Sequence, residues 1–205
     1  MAQSPARCRG TGFVYSTPMV YNLVLWGLYR GRPRERFAAV QQEVAPGDSV
    51  VDLCAGTSLL FESLRGIASR YQAFDINPQF VEALRRQGIE AHCADIRQLE
   101  IPSADVVTMS SALYHFHPHC REMVEKMKAS ARKKVVLVEP VRNNANSAIP
   151  LWGRFARWAA RVEGNPVEFH FTRESLSGLV AAIPGAVRSE EVCGGRDLLV
   201  VLDCR

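Results

Sequence analysis

Six cysteines, Cys8, Cys54, Cys93, Cys120, Cys193 and Cys204, are scattered along 205 residues without a single C-x-x-C pair. The spacing excludes a disulfide framework and predicts reduced thiols in a cytoplasmic setting. No apolar run is long enough to span a bilayer. The nearest imitation of a signal peptide, residues 18–29, carries Asn22 and Gly27, runs into Arg30-Gly31-Arg32-Pro33-Arg34 and lacks a small-residue cleavage site. Charge of one sign is also scarce. Twenty-five Lys and Arg against 21 Asp and Glu leave a net +4, too small and too dispersed for a dedicated nucleic-acid binder. Internal repeats and low-complexity tracts are missing, which excludes solenoids and disordered chains. These absences predict a soluble cytoplasmic protein.

What is present is a 47% hydrophobic content, enough for one core and so for a single domain over 1–205. An N-terminal helical arm is predicted over 12–36: Thr17 caps it, Pro18 opens it, and Met19, Val20, Leu23, Val24 and Leu28 make its apolar face before Gly31. Strands are predicted at 49–54, 71–75, 89–93, 104–109 and 135–138. Helices are predicted at 58–67, 77–88 and 118–130 between them. A helical insertion at 145–168 and a Thr172-capped helix follow, then two strands at 187–193 and 198–203 joined at Gly194-Gly195. This alternation predicts an α/β fold: a doubly wound, mostly parallel seven-stranded sheet closed by an antiparallel C-terminal hairpin.

Three strand ends carry the chemistry. Val50-Val51-Asp52-Leu53-Cys54-Ala55-Gly56-Thr57-Ser58 is a buried strand that runs into a small-residue turn and at once into a helix. Such a turn lets a ligand lie on bare backbone before helix N–H groups. The dinucleotide pattern G-x-G-x-x-G would place glycines at Cys54, Gly56 and Leu59 and is met only at Gly56, which disfavours a nicotinamide cofactor. Asp75, a little over twenty residues past the start of the turn, ends the next strand where a carboxylate accepts ribose hydroxyls; the competing role is helix capping, which Asn77 supplies alone. Asp95, followed by Ile96, offers an acceptor for an exocyclic amine beside an apolar surface for a flat ring.

On these residues the chain resembles the class I S-adenosylmethionine-dependent methyltransferases, clearly over 37–140, and within them the type 11, ubiquinone-menaquinone methyltransferase-like group. Residues 52–58 resemble the family's first motif, Asp75-Ile76 its ribose-binding acid, and Asp95-Ile96 its adenine-binding pair. Ser110-Ser111-Ala112-Leu113-Tyr114-His115-Phe116 resembles the fourth motif, and Val136-Leu137-Val138-Glu139-Pro140 the strand and turn after it. The resemblance implies a Rossmann-like fold, S-adenosyl-L-methionine as methyl donor and S-adenosyl-L-homocysteine as product. It implies a donor site of Tyr21, Asp52, Cys54, Ala55, Gly56, Thr57, Asp75, Ile76, Asp95, Ile96 and Ser110. Tyr15, Pro18, Tyr21 and Asn22 resemble the family's N-terminal Y-x-x-x-A-x-x-Y-D pattern, with Asn22 in place of its Asp. Cys54 and Ser58 replace the first and last glycines of the family's loop, so a non-catalytic methyltransferase-fold binding protein stays open as an alternative, as does a nucleotide-dependent oxidoreductase.

A sulfonium methyl is already electrophilic, so such an enzyme must align the acceptor and exclude water, and needs a base only for a protonated acceptor. His115 is the candidate base, since neutral imidazole accepts a proton near pH 7. Tyr114 is the candidate partner or wall. His115, His117, His119 and Cys120 also invite a metal reading. Pro118 breaks the segment and no second ligand pair follows, so no metal is assigned. The turn after the fourth strand, Ser110-Ser111-Ala112-Leu113, lacks the N/D-P-P-Y/F pattern of base-methylating enzymes, which disfavours nucleic acid. Trp152, Phe155, Ala159 and Val162 share one helical face and Arg154, Arg157 and Arg161 another, read either as a lid or as peripheral contact with a membrane or lipid-like substrate. Arg142, Asn143 and Asn144 are further polar candidates. The predicted reaction is methylation of a small or amphipathic metabolite, quinone-, lipid- or phenol-like.

Overall fold

The computed structural model describes Met19, Leu23, Trp26, Gly27 and residues 34–57, 59–142, 169–185 and 187–204. Seven strands form one sheet: β1 (Ser49–Leu53), β2 (Arg70–Asp75), β3 (Glu90–Cys93), β4 (Ala104–Ser110), β5 (Ala131–Pro140), β6 (Val187–Val192) and β7 (Asp197–Asp203). Their spatial order is β3-β2-β1-β4-β5-β7-β6. β1 pairs in parallel with both β2 and β4, and β7 runs antiparallel to both β5 and β6. The order reverses between β1 and β4, the position where open α/β sheets leave a crevice at their strand carboxyl ends.

Residue alternation decides which helix covers which face. Val50, Ala73, Val106, Val136, Val138 and Val201 point to one side, where α1 (Arg34–Gln41), α2 (Leu59–Leu64) and α3 (Pro78–Arg86) supply Val40, Leu60, Leu64, Val81 and Leu84. Val51, Leu53, Val107, Met109, Val135, Leu137 and Val200 point to the other, against α4 (Cys120–Ser130) and α5 (Arg173–Ala181) through Met123, Val124, Met127, Leu176 and Val180. With both faces covered, the central strands read as continuous apolar runs.

Local signals fix the helix ends. Asn77 caps α3 by accepting the Gln79 N–H at 2.9 Å, with Pro78 at the first position and Gly88 at φ +77° past its end. Thr172 caps α5 in a reciprocal box with Ser175. The expected helix 118–130 starts only at Cys120, because a 3-10 turn, Leu113–Phe116, occupies the chain just past β4. β5 is longer than the expected 135–138, since the polar stretch Arg132-Lys133-Lys134 extends it at the sheet's amino-terminal rim.

Met19, Leu23 and Trp26 are helical as expected, but their side chains are exposed, Met19 to 78%. The rest of the arm, including Tyr21, and the whole insertion 145–168 lie outside the described residues, as do Asn143 and Asn144. Cys93 is disulfide-bonded, whereas Cys54, Cys120, Cys193 and Cys204 are free thiols. That corrects the all-reduced expectation at one position, because sequence spacing does not report which thiols a fold brings within covalent distance. Among the described residues no helix is long and apolar enough to cross a membrane.

Candidate active site

The carboxyl ends of β1, β2 and β3 are tied together by backbone bonds. The Ala55 N–H donates to the Phe74 carbonyl at 3.1 Å and the Ala94 N–H to the Asp75 carbonyl at 3.0 Å. The turn after β1 is sharp: Cys54 lies at φ +56° and Gly56 at φ +59°. The Gly56 N–H donates to Asp75 Oδ2 at 2.8 Å and the Asn77 N–H to Oδ1 at 2.7 Å. Asp75 thus latches the β1 turn to the start of α3. Burial pushes its carboxyl up to about 6, against the N–H groups of Asn77, Gly56 and Ile76.

The other expected donor-site residues fall into distinct places. Asp52 is buried in β1 and accepts the Tyr71 hydroxyl at 2.5 Å. Burial raises it to about 7, opposed by that bond and reinforced by the nearby charge of Asp75. Asp52 therefore acts from beneath the turn. Cys54, Ala55 and Ile76 are half-buried, whereas Thr57 is buried. Asp95 is partly exposed, with both oxygens taken by Arg97, Nε at 2.9 and 3.0 Å and Nη2 at 2.8 Å. Burial would raise its carboxyl, but Arg97 holds it below the ordinary range. Ile96 is in the core.

Across the crevice, Ser110 ends β4 with its Oγ buried and without a hydrogen-bond partner among the described residues. Glu139, fully buried in β5, accepts the consecutive N–H groups of Ala112 and Leu113 on one oxygen, at 2.8 and 2.9 Å. Those amides begin the 3-10 turn that presents Tyr114 and His115. Burial raises Glu139 to about 7, opposed by the same N–H groups and by Arg36 and reinforced by Asp197. Arg36 and Asp197 form a buried ion pair at 2.8 Å.

His115 is half-buried and its ring centroid lies 4.2 Å from that of Tyr114. Burial, aided by the nearby His170, lowers it to about 4, so it is neutral near pH 7. His170 lies 5.6 Å from Tyr114 between ring centroids, and Phe169 stacks on His117 at 4.0 Å. The segment before α5 is thereby folded against the turn after β4. Sequence reading missed His170, Glu139 and Tyr71, whose partners lie 56, 27 and 19 residues away.

The His-rich segment does not converge. His117 and His119 are exposed, while Cys120 is buried and donates from Sγ to the Leu113 carbonyl at 3.3 Å. Among the described residues no group of three or more His, Cys, Asp or Glu side chains could hold a metal. Arg142 lies over the hairpin at Gly195.

A seven-stranded sheet with this order, a small-residue turn after β1 and carboxyl groups at the next two strand ends make up the Rossmann-like methyltransferase fold. Residues 50–145, which run from β1 to just past β5, match a family model described as methyltransferase domain. No curated protein matches the chain in sequence. Solved structures share the fold. A complex of DhpI with S-adenosylhomocysteine has a TM-score of 0.71 at 14% identity, covering 92% of both chains. An O-methyltransferase family 2 protein from Planctomyces limnophilus, in complex with apigenin, has a TM-score of 0.63 at 19% identity over 92% of this chain and 61% of that one. Magnesium protoporphyrin IX methyltransferase from Synechocystis, with bound S-adenosylhomocysteine, has a TM-score of 0.63 at 13% identity over 86% and 83%.

The residues present fit S-adenosylmethionine, whose product form, S-adenosylhomocysteine, is bound in two of these solved structures. Burial, then the charges of Asp75, Asp52, Glu139 and Asp95, push the Cys54 thiol well above its ordinary value. Four carboxyl groups thus set a negative field at the β1 turn, which suits a sulfonium cation. Among the described residues the orphaned Ser110 Oγ is an unused hydrogen-bonding group at the end of β4, the strand next to β1.

Proposed function

We propose that the chain methylates a small or amphipathic metabolite, quinone-, lipid- or phenol-like, at the crevice between the β1 and β4 ends. The arm 12–36 and the insertion 145–168 of a single domain over 1–205 border the acceptor. The observation that carries this reading is the Gly56–Asp75 latch standing opposite the Tyr114–His115 turn. S-adenosylmethionine supplies an activated methyl group on a positively charged sulfur.

The chain's residues then have separate tasks. Cys54, Ala55, Gly56 and Thr57 form the backbone floor. Asp75 binds the ribose hydroxyls, Ile76 and Ile96 border the adenine, and Asp95 orients it. Asp52 holds the negative field from below through its bond to Tyr71, and Ser110 and Tyr21 border the methionine end. His115, neutral at working pH, takes the acceptor's proton when it has one, and Tyr114 orients the acceptor. The molecules named for related folds, apigenin in complex with one protein and a porphyrin in the name of another, are small, which supports this acceptor size.

The first test is calorimetric titration with S-adenosylmethionine and S-adenosylhomocysteine, with NADH as control. Micromolar binding of both sulfur ligands, and its loss in Asp75→Ala, is expected. A folded protein that binds neither would overturn the enzyme reading in favour of a non-catalytic binding protein, and NADH binding alone would favour an oxidoreductase.

A further inference from the structure

We infer that β6 is a self-complementary interaction edge: two copies of this chain pair their β6 strands antiparallel about Ser189, so that one sheet runs through both. The surface concerned is a sheet edge three strands beyond β4, and the inference holds whether or not the methyltransferase reading does.

Three observations carry it. The first is an open edge. β6 ends the strand order, and Val187 to Glu191 are exposed, whereas β7 beside it is buried from Asp197 to Leu202. An edge strand offers a row of backbone N–H and C=O groups to any chain able to pair with it, and proteins ordinarily blunt such edges by shortness, proline, lysine or a bulge. The opposite edge, β3, is short at four residues. β6 has none of these devices. It is six residues long, Val-Arg-Ser-Glu-Glu-Val, and stays in register with β7 from end to end.

The second is the face on which its charges lie. Arg188 and Glu190 oppose Val201 and Leu199, which belong to the core on the α1 side. Val187, Ser189 and Glu191 oppose Leu202, Val200 and Leu198 of the α5 side. Opposed residues of an antiparallel pair point to the same face. Arg188 and Glu190 therefore share one face, where Arg188 also reaches Glu43, while Glu191 meets Arg173 of α5 on the other. The Arg188 and Glu190 side chains remain 54% and 62% exposed, so both can meet a second strand.

The third is register. A two-fold axis normal to the sheet keeps each face on its own side, so a residue can oppose only residues of its own face. Centred on Ser189, Arg188 of each copy stands opposite Glu190 of the partner subunit, twice by symmetry. Centring on Arg188, Glu190 or Glu191 would set that residue against its own counterpart, a like-charge contact. Charges of opposite sign two residues apart thus select the Ser189 register and penalise its neighbours.

The test uses the full chain in sedimentation velocity from about 1 to 500 µM. A strand edge is a small interface, so a dimer with Kd about 10–100 µM is expected. Glu190→Arg sets Arg188 against a cation at two symmetric contacts, keeps the Arg188–Glu43 pair, and should weaken the dimer about tenfold. Combining it with Arg188→Glu restores opposite charges in the same register and should recover the dimer to within about threefold of wild type. Directly opposed strand residues lie about 4.5–5.5 Å apart between Cα atoms, within the span of a disulfide, about 4.4–6.8 Å. Ser189→Cys should therefore cross-link the dimer under oxidised glutathione. Val187→Cys, about 14 Å from its counterpart along the strand, should not. The wild-type chain oxidised in parallel accounts for the native thiols, and circular dichroism melts check that each variant is folded. A chain that stays monomeric to about 500 µM, a dimer that Glu190→Arg leaves unchanged, or equal cross-linking at positions 187 and 189 would overturn the inference.

Discussion

Cys54 occupies a left-handed conformation at φ +56°, where the family's loop has a glycine. A Cβ there costs about 1–2 kcal/mol, and glycine gives back part of that through its larger unfolded-state entropy. Cys54→Gly is therefore expected to raise Tm by about 2 °C and to keep donor affinity, read by thermal denaturation and calorimetry. A fall in both would mean that the thiol makes a needed contact. Glu139 poses the opposite problem. Its single accepting oxygen satisfies two buried N–H groups while its other oxygen has no hydrogen-bond partner among the described residues. Glu139→Leu orphans both amides and should cost about 3 kcal/mol. Glu139→Gln keeps an acceptor and removes the buried charge, so at pH 8 it should be no less stable than wild type in urea unfolding. A large loss in the Gln variant would show that the negative charge itself holds the turn.

Among the elements, α5 depends on a local cap. Its capping box begins at Thr172, two residues after His170. Thr172→Ala should cost about 1 kcal/mol in urea unfolding. Unaltered stability would show that the core contacts of Leu176 and Val180 hold α5 without the cap. Element identity was largely legible in the sequence where the signal is local: Asn77-Pro78 opens α3 and Thr172 opens α5 as expected. β5 was not fully legible, because Arg132, Lys133 and Lys134 read as a polar connection. Pairing with β4 and β7, together with ion pairs to Asp105, Asp48 and Glu43, makes them strand.

For the whole molecule, the buried carboxyl groups predict an inverted pH response. Asp52, Asp75 and Glu139 lie at about 7, 6 and 7, above their ordinary values of 3.8, 3.8 and 4.5. The folded state therefore binds more protons than the unfolded state across that window, and stability falls as pH rises through it. His115, lowered to about 4 from 6.5, works the other way below pH 6.5. The ligand-free protein should consequently melt higher at pH 6 than at pH 8. S-adenosylmethionine should bind more weakly at pH 6, because the carboxyl groups around the β1 turn are then partly neutral, and S-adenosylhomocysteine should change less. Thermal melts and calorimetry at the two pH values check both halves. Parallel pH trends for the two ligands would remove the electrostatic account of the donor site.

The sequence by itself determined the doubly wound sheet, the turn at Cys54-Ala55-Gly56 and the acid at Asp75, because each is written in one short run of apolar, small or capping residues. Only the tertiary structure decided how those residues are used. It buries Asp52 under Tyr71, occupies Asp95 with Arg97, binds Glu139 to the turn after β4, and brings His170 to Tyr114. Three of these contacts join residues 19 to 56 positions apart. Hydrogen bonds and ring contacts act over a few ångströms of space, and which distant residues come that close is settled by strand order and helix packing, not by neighbours in the chain.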